Sequence, residues 1–200
     1  ARAEPMYRLR GGTVGLIGYG RIAQAFHRKA KALGYVRTLV FDPYLEASPD
    51  GAERVSLERL CREADVISLH APLTSDTHHI IDAGKLALMK PTAILVNTSR
   101  GGLVDTVALA ATLADDRIFG AGLDVFEQEP PPHDHPLLAA PNLVVSDHTG
   151  WYSEQSVSDL RRKASEEIAR VFSGGTPINW VNAWDAAKPN DMNITTIRSV

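Results

Sequence analysis

The residues from Thr13 to Asp42 constrain the fold of this chain more than any other segment. A short apolar run, Val14 to Ile17, leads into a glycine turn, Gly18-Tyr19-Gly20. The turn is followed by apolar residues at helical spacing, namely Ile22, Ala23, Phe26, Ala30 and Leu33. A second apolar run then ends in an acid, Asp42. This order predicts a strand, a tight turn, a helix, a second strand and a carboxylate, which together are typical of a dinucleotide site.

The predicted turn has a specific chemistry. Glycine lets the backbone approach a ligand closely, and a helix that begins near Gly20 presents free N–H groups and its positive dipole end to a pyrophosphate. Ala23 stands where the fingerprint often has its third glycine. Asp42 is placed to accept hydrogen bonds from a ribose diol and would repel a 2′-phosphate, which favours NAD over NADP. The alternative is a glycine turn that binds no nucleotide.

Composition narrows the possible partners. The chain has 200 residues, 44% of them hydrophobic, and a net charge of −3. We expect one domain with an appendage, no nucleic-acid partner because no basic block is present, and no membrane partner because no apolar run is long enough to span a bilayer. Cys61 is the single cysteine, so no internal disulfide is possible, and we expect it to be a buried small hydrophobe. A cytoplasmic location fits this composition.

Apolar runs alternate with amphipathic segments along the chain, and we predict an α/β fold, a Rossmann-type doubly wound parallel sheet with helices on both faces. Asp82, Asp105 and Ser153 are expected to begin helices, and Gly174-Gly175 to end the last one. Residues 127–141 contain five prolines and are predicted to form an extended loop. The predicted strands after the first two are Asp65 to Leu69, Ala93 to Asn97, Phe119 to Val125 and Leu143 to Val145.

The predicted organisation has four parts: residues 1–12 as a linker or crossover segment, 13–150 as the dinucleotide-binding domain, 151–175 as a returning helix, and 176–200 as a polar tail. The first strong element is already the dinucleotide turn, so we expect that a further segment precedes it in the natural protein. Trp180 and Trp184 are expected to dock the tail, either on these residues or on the further segment.

Polar residues follow the predicted strands at the edge where such sheets bind ligands. Among them, Arg100 could bind a carboxylate through two parallel hydrogen bonds, and His148 could donate a proton to a carbonyl oxygen. Glu129 beside that imidazole would orient it and favour its protonated form. With a nicotinamide, this set suits the reduction of a 2-keto acid, and the reverse reaction would use the neutral histidine as a base.

Each of these residues alone has an ordinary structural explanation, and the hypothesis depends on their meeting at one sheet edge. His70 is expected to be structural or near the cofactor. Four further histidines do not suggest a metal site, because no tetrahedral ligand set emerges from the sequence. These histidines are His78, His79, His133 and His135.

Five ordered segments carry a resemblance to a known family: GLIGYGRIA, HAPLTSDT, VNTSRGGLVD, GAGLDVFEQEP and the histidine of SDHTGWYSEQ. Together they resemble the D-isomer-specific 2-hydroxy acid dehydrogenases from about Leu9 to Gly175. The resemblance implies an NAD-dependent enzyme that interconverts a small 2-hydroxy acid and a 2-keto acid. It also implies a homodimer and the absence here of most of the N-terminal substrate domain.

The resemblance also assigns residues. It implies that Arg100 binds the substrate carboxylate, that Glu129 pairs with the catalytic His148, and that Trp151 faces the substrate. Asp124 would hold the nicotinamide amide. The implied cofactor contacts are Gly18, Tyr19, Gly20, Arg21, Ile22, Asp42, Ala71, Pro72, Thr77, Thr98, Ser99, Arg100, Asp124, His148 and Gly150.

Within the family, the HxxWYSEQ stretch looks most like the C-terminal-binding-protein branch. This branch leaves open a second hypothesis, an NAD-sensing scaffold that dimerises. The length of the chain leaves open a third, that these residues are only the cofactor-binding half of a larger enzyme. Asp147 departs from the family, which usually has proline before the histidine, and this carboxylate either tunes His148 or points to solvent.

Overall fold

The computed structural model describes residues 6–178 of the chain. It divides into two compact units, one extending to Gly150 and the other beginning at Trp151. Within the described residues, no helix combines the length and the apolar character needed to cross a membrane. The predicted docking of Trp180 and Trp184 lies outside the described residues.

The first unit contains a seven-stranded sheet in which every neighbouring pair of strands is parallel. The strand order is β3-β2-β1-β4-β5-β6-β7, so the direction of winding changes between β1 and β4. This confirms the predicted α/β Rossmann-type fold. The strands are β1 (Thr13–Ile17), β2 (Arg37–Phe41), β3 (Glu53–Arg54), β4 (Val66–Leu69), β5 (Ile94–Asn97), β6 (Gly120–Leu123) and β7 (Leu143–Val145).

Among the described residues, four α-helices lie in the first unit and one lies in the second. They are α1 (Arg21–Ala32), α2 (Leu57–Glu63), α3 (Ala83–Leu88), α4 (Thr106–Ala114) and α5 (Glu154–Phe172). The predicted N-caps of three helices are confirmed: Asp82, Asp105 and Ser153 each accept a hydrogen bond from a backbone N–H in the first turn. Gly174, with φ +79°, follows the end of α5 as predicted.

The central strands are apolar on both sides because each side of the sheet is covered. Val14 and Leu16 of β1 pack in a small cluster with Ala30 of α1. Ile17 of the same strand belongs to a larger cluster, which includes residues of α2, α3 and α4. Alternate residues of a strand point to opposite faces, so β1 is buried from both directions and its end is held rigidly.

Two local expectations differ from the structure. Ile22, which the helical spacing placed with the apolar residues of α1, is 74% exposed, because the buried face of α1 is formed by Ala23, His27 and Ala30. The proline-rich loop is not extended throughout: residues Pro136–Ala139 form a 3₁₀ turn. Burial of Leu137 stabilises this turn, because its side chain is completely buried in the larger core cluster.

Candidate active site

Backbone hydrogen bonds join the loops that follow neighbouring strands at the carboxyl edge of the sheet. The N–H of Gly18 donates to the carbonyl of Phe41 at 2.8 Å. The N–H of His148 donates to the carbonyl of Asp124 at 2.9 Å, and the N–H of Asp124 donates to that of Asn97 at 3.0 Å. The predicted site residues on these loops therefore lie along one continuous rim.

The glycine turn after β1 makes a backbone cradle. Gly18 has φ +85°, and a Cβ there would lie 2.8 Å from the backbone nitrogen of Ala71, so a side chain is excluded. Gly20 is the N-cap of α1, makes no side-chain cap hydrogen bond, and has nothing within 4 Å of an added Cβ. The N-terminus of α1 therefore opens onto free space, which is what close approach of a pyrophosphate requires.

Asp42 ties this turn to the end of β2. Its Oδ2 accepts a hydrogen bond from the N–H of Tyr19 at 2.8 Å, and its Oδ1 accepts one from the N–H of Tyr44 at 2.9 Å. Each carboxylate oxygen has a second lone pair available for a ligand hydroxyl. Asp42 therefore both shapes the turn and offers acceptors to a ribose diol.

The loop after β4 carries three predicted cofactor residues, Ala71, Pro72 and Thr77. The Oγ1 of Thr77 donates to the carbonyl of Pro72 at 2.7 Å, so this side chain also closes the loop. His70 lies at the start of the loop, with its Nε2 3.0 Å from the Oγ of Ser68. Burial lowers the pKa of His70, which favours the neutral imidazole and supports the expected structural role.

The loop after β5 is shaped by Asn97, a residue that the sequence analysis did not single out. Asn97 is completely buried; its Nδ2 donates to the carbonyl of Arg100 at 2.8 Å, and its Oδ1 accepts from the N–H of Ser99 at 3.0 Å. The Oγ of Ser99 donates to the carbonyl of Leu69 at 2.7 Å. A polar residue at the end of an apolar strand is the sequence signal for this role.

Arg100 is thereby placed with its backbone fixed and its guanidinium exposed. One guanidinium nitrogen, Nη1, donates to the carbonyl of Ser99 at 2.6 Å, and the remaining donors of the fork are available to a ligand. The charge of Arg100 also contributes to the lowered pKa of Glu129, so the two predicted residues lie within electrostatic reach of each other.

Gly101 allows this loop to approach the loop after β6. An added Cβ would lie 1.9 Å from the carbonyl carbon of Phe126 and 2.3 Å from the backbone nitrogen of Glu127, and neither backbone atom can move aside cheaply. The sequence analysis quoted the glycine pair after Arg100 but did not assign Gly101 this role. Because Gly101 is essential to this contact, it also controls how close Arg100 lies to the Glu129 loop.

The Gly101→Ala substitution is expected to lower the free energy of unfolding by about 3 kcal/mol or more, because the added methyl overlaps backbone atoms rather than a flexible side chain. Urea unfolding followed by circular dichroism measures this loss. Gly122→Ala in β6 is the matched control, since nothing lies within 4 Å of its added Cβ. Equal stability of the two variants would contradict the close approach.

The predicted pair of Glu129 and His148 forms in the structure. The Nδ1 of His148 lies 2.7 Å from the Oε2 of Glu129, and the Oε1 of Glu129 accepts from the N–H of Phe126 at 3.0 Å. The hydrogen bond from His148 and the one from Phe126 lower the pKa of Glu129, with burial opposing them. The carboxylate is therefore charged at neutral pH and fixes one imidazole nitrogen, which leaves Nε2 for a substrate.

Asp124 holds the backbone on both sides of His148. Its Oδ1 accepts from the Oγ of Ser146 at 2.6 Å and the N–H of Thr149 at 2.9 Å, and its Oδ2 accepts from the N–H of Gly150 at 2.9 Å. Burial would raise the pKa of Asp124, but these hydrogen bonds outweigh it and lower the pKa. His148 has φ +48°, an uncommon value that these bonds help to maintain.

A cavity of about 440 Å³ lies beside this pair, and its lining includes Asp124, Glu129 and His148. Asp147 also lines it and is exposed. A larger cavity of about 540 Å³ is lined by Tyr35, Asp65, Phe119 and neighbouring residues. It lies at the amino ends of the strands, whereas ligands of such sheets bind at the carboxyl ends, so the smaller cavity is the candidate site.

Trp151 belongs to the second unit, and its role toward the substrate stays a prediction. Its ring makes an edge contact with Tyr152, with ring centroids 5.7 Å apart. The first unit alone therefore presents a nucleotide cradle, an exposed guanidinium and an imidazole oriented by a carboxylate. Such a rim is suited to bind a dinucleotide and to protonate the carbonyl oxygen of a carboxylate-bearing compound.

Residues 1–150 match the family model described as D-isomer specific 2-hydroxyacid dehydrogenase, NAD binding domain. The chain is 44% identical over 179 residues to a glyoxylate reductase of Korarchaeum cryptofilum, and this match covers 88% of this chain and 54% of that protein. It is 42% identical over 181 residues to a glycerate dehydrogenase of Methylorubrum extorquens, spanning 90% of this chain and 55% of that one.

Among solved structures, D-lactate dehydrogenase with NAD⁺ from Lactobacillus jensenii is similar, with a TM-score of 0.83 and 29% identity. That match covers 92% of this chain and 59% of the other. The chain thus spans about half the length of the curated relatives it matches. The similarity includes every loop of the rim, because the family model extends across residues 1–150.

Proposed function

This chain belongs to the D-isomer specific 2-hydroxyacid dehydrogenase family, and from that premise we propose that it supplies the cofactor-binding part of an enzyme that interconverts a 2-keto acid and a D-2-hydroxy acid. One observation carries the proposal: the imidazole of His148 is hydrogen-bonded to Glu129 at 2.7 Å on the rim that also holds the glycine turn and Asp42. A proton donor and a nucleotide cradle thus share one edge of the sheet.

The cofactor is NAD. The residues present fit it, because the open space in front of Gly20 and the N-terminus of α1 would hold the pyrophosphate, and Asp42 would hold the ribose hydroxyls. A second phosphate on that ribose would meet the carboxylate of Asp42, which disfavours NADP. When bound, the cofactor supplies the hydride that reduces the carbonyl carbon.

The side chains of the rim would divide the remaining work. Arg100 binds the substrate carboxylate through its free guanidinium donors. His148, protonated and oriented by Glu129, gives its Nε2 proton to the carbonyl oxygen, so that one hydride and one proton convert the 2-keto acid to the 2-hydroxy acid. In the oxidation direction the neutral imidazole accepts the hydroxyl proton. These roles of Arg100, Glu129 and His148 are proposals.

Relatives named glyoxylate reductase and glycerate dehydrogenase point to small substrates with few carbon atoms. The assignment to the C-terminal-binding-protein branch gains no support from these relatives, and the scaffold alternative gains none either. Trp151 as a substrate contact, a homodimer and a cytoplasmic location stay predictions. None of them is needed for the chemistry proposed for the rim.

Two measurements on the natural full-length protein test the proposal. Fluorescence titration is expected to show NADH binding at least about tenfold more tightly than NADPH, because the 2′-phosphate meets a carboxylate. Spectrophotometry is expected to show NADH-dependent reduction of glyoxylate or NAD-dependent oxidation of glycerate. Binding of NADH without turnover of any 2-keto or 2-hydroxy acid would leave the cofactor site intact and reject the enzymatic proposal.

A further inference from the structure

Three potential metal ligands meet outside the candidate active site. The side chains of His78, His79 and Glu127 place one ligand atom each within 4.8 Å of one another. The two histidines lie in the loop after β4, whereas Glu127 lies in the loop after β6, so the cluster forms only when the chain folds. The sequence analysis did not predict a metal site at the adjacent histidines, because no tetrahedral ligand set emerged from the sequence.

The geometry of the cluster is close to that of a zinc site. The Nε2 of His79 lies 2.9 Å from the Oε2 of Glu127, and the rings of His78 and His79 stack with centroids 3.9 Å apart and an angle of 26°. Zinc bonds to nitrogen and oxygen of about 2.0–2.1 Å place neighbouring tetrahedral ligand atoms about 3.3 Å apart. The three ligand atoms lie within 4.8 Å of one another, and rotation of the side chains, including turning the two stacked rings apart, would direct them at one ion.

Surrounding groups hold the ligands in place, as they do in metal sites. The Oε1 of Glu127 accepts hydrogen bonds from the N–H and the Oγ1 of Thr106, at 3.2 and 2.5 Å. These two hydrogen bonds fix the position of the Glu127 carboxylate. The N–H of His79 donates to the carbonyl of Gly102 at 2.8 Å.

Thr106 has the same contact with Glu127 that an outer-shell partner makes with a metal ligand: it occupies one carboxylate oxygen and leaves the other directed at the histidines. His79 has φ +50°, an uncommon backbone conformation, and its ring stacks on the ring of His78, so the two imidazoles lie on the same side of the chain. A simple ion pair between His79 and Glu127 needs neither the stacked ring of His78 nor this conformation.

We propose that His78, His79 and Glu127 bind one Zn²⁺ ion, with water in the fourth position. Two imidazoles and one carboxylate suit zinc, whereas magnesium and calcium prefer sets made of oxygen atoms. The ion links the loop after β4 to the loop after β6 and so stabilises the segment that continues into Glu129. The inference does not depend on the proposed function.

Isothermal titration calorimetry of the full chain with ZnCl₂ tests the site. The protein is purified with an affinity tag that contains no histidine. One Zn²⁺ per chain is expected, and His78→Ala, His79→Ala and Glu127→Gln are each expected to weaken binding by about tenfold or more. His78→Ala is the most informative variant because it leaves the pair of His79 and Glu127 in place. Thr106→Val, which removes a hydroxyl from the supporting shell, is expected to weaken binding by about tenfold.

Two controls separate this site from other histidines. His133→Ala removes an exposed histidine outside the cluster, and His148→Asn removes the imidazole of the candidate active site, so both are expected to bind zinc as the unsubstituted chain does. Circular dichroism verifies that each variant is folded, and the melting temperature of the unsubstituted chain is expected to rise with zinc. The proposal is overturned if the chain shows no saturable binding of one Zn²⁺ ion. It is also overturned if the His78→Ala and Glu127→Gln variants are folded and bind Zn²⁺ with unchanged affinity.

Discussion

The His148→Asn variant of the natural full-length protein is expected to reduce 2-keto acids with a kcat about 10²- to 10⁴-fold lower than that of the unsubstituted enzyme. Asparagine accepts the backbone of this position, φ +48°, but its amide protons are too weakly acidic to be transferred to the carbonyl oxygen. The affinity for NADH is expected to remain, because the glycine turn and Asp42 are untouched. Steady-state kinetics and NADH titration measure the two effects separately.

Two further variants make this test specific. His133→Asn exchanges an exposed histidine of the proline-rich segment in the same way and is expected to leave kcat unchanged. Glu129→Gln keeps the shape of the side chain but removes the charge that orients His148, and kcat is expected to fall by about 10- to 100-fold, the value of one charge-assisted hydrogen bond. Unchanged turnover in His148→Asn would exclude His148 as the proton donor.

Alanine substitution of the two glycines in the turn after β1 is expected to change the stability of the protein at Gly18 but not at Gly20. Gly18→Ala is expected to lower the free energy of unfolding by about 2–4 kcal/mol, because the new methyl lies 2.8 Å from the backbone nitrogen of Ala71 and φ is +85°. Gly20→Ala is expected to change stability by less than about 0.5 kcal/mol, since its φ is −72° and no atom lies within 4 Å.

For ligand binding the second glycine is the informative one. The methyl group of Gly20→Ala would occupy the space that the pyrophosphate needs, so NADH affinity is expected to fall by about tenfold or more in a protein that unfolds normally. Urea unfolding and fluorescence titration of the same samples give both quantities. If Gly20→Ala bound NADH as tightly as the unsubstituted chain, the space in front of α1 would not be the pyrophosphate site.

Several features of the fold were predictable because they depend on neighbours in the sequence. The caps Asp82, Asp105 and Ser153 act on N–H groups three residues ahead, so a short window contains both partners. The face of α1 was predicted less well: Ile22 fits the helical spacing but is exposed. Burial of one helical face depends on which side the sheet contacts, and spacing alone does not specify that side.

Some residues of the rim could be predicted from the sequence, whereas others were identified only in the folded structure. Asp42 and the glycine turn were recognised together, and the hydrogen bond from Tyr19 to Asp42 joins two points of one strand–helix–strand unit. Glu129 and His148 were proposed as a pair from the chemistry of their side chains and from the family resemblance, but their 2.7 Å contact joins two different loops, so spacing along the chain could not establish it. Asn97 and Gly101 were not assigned their roles, because a buried amide and a close backbone approach become visible only when the loops are assembled.

Periodicity, caps and the glycine turn were therefore sufficient to derive a parallel α/β sheet and a nucleotide cradle at its carboxyl edge, since each arises from residues close together in the chain. The proximity of Gly101 to Phe126, the support of the His148 loop by Asp124, and the meeting of His78 and His79 with Glu127 were decided by the folded molecule. These contacts join segments separated by many residues, and their distances follow from how the strands are ordered and how the loops pack.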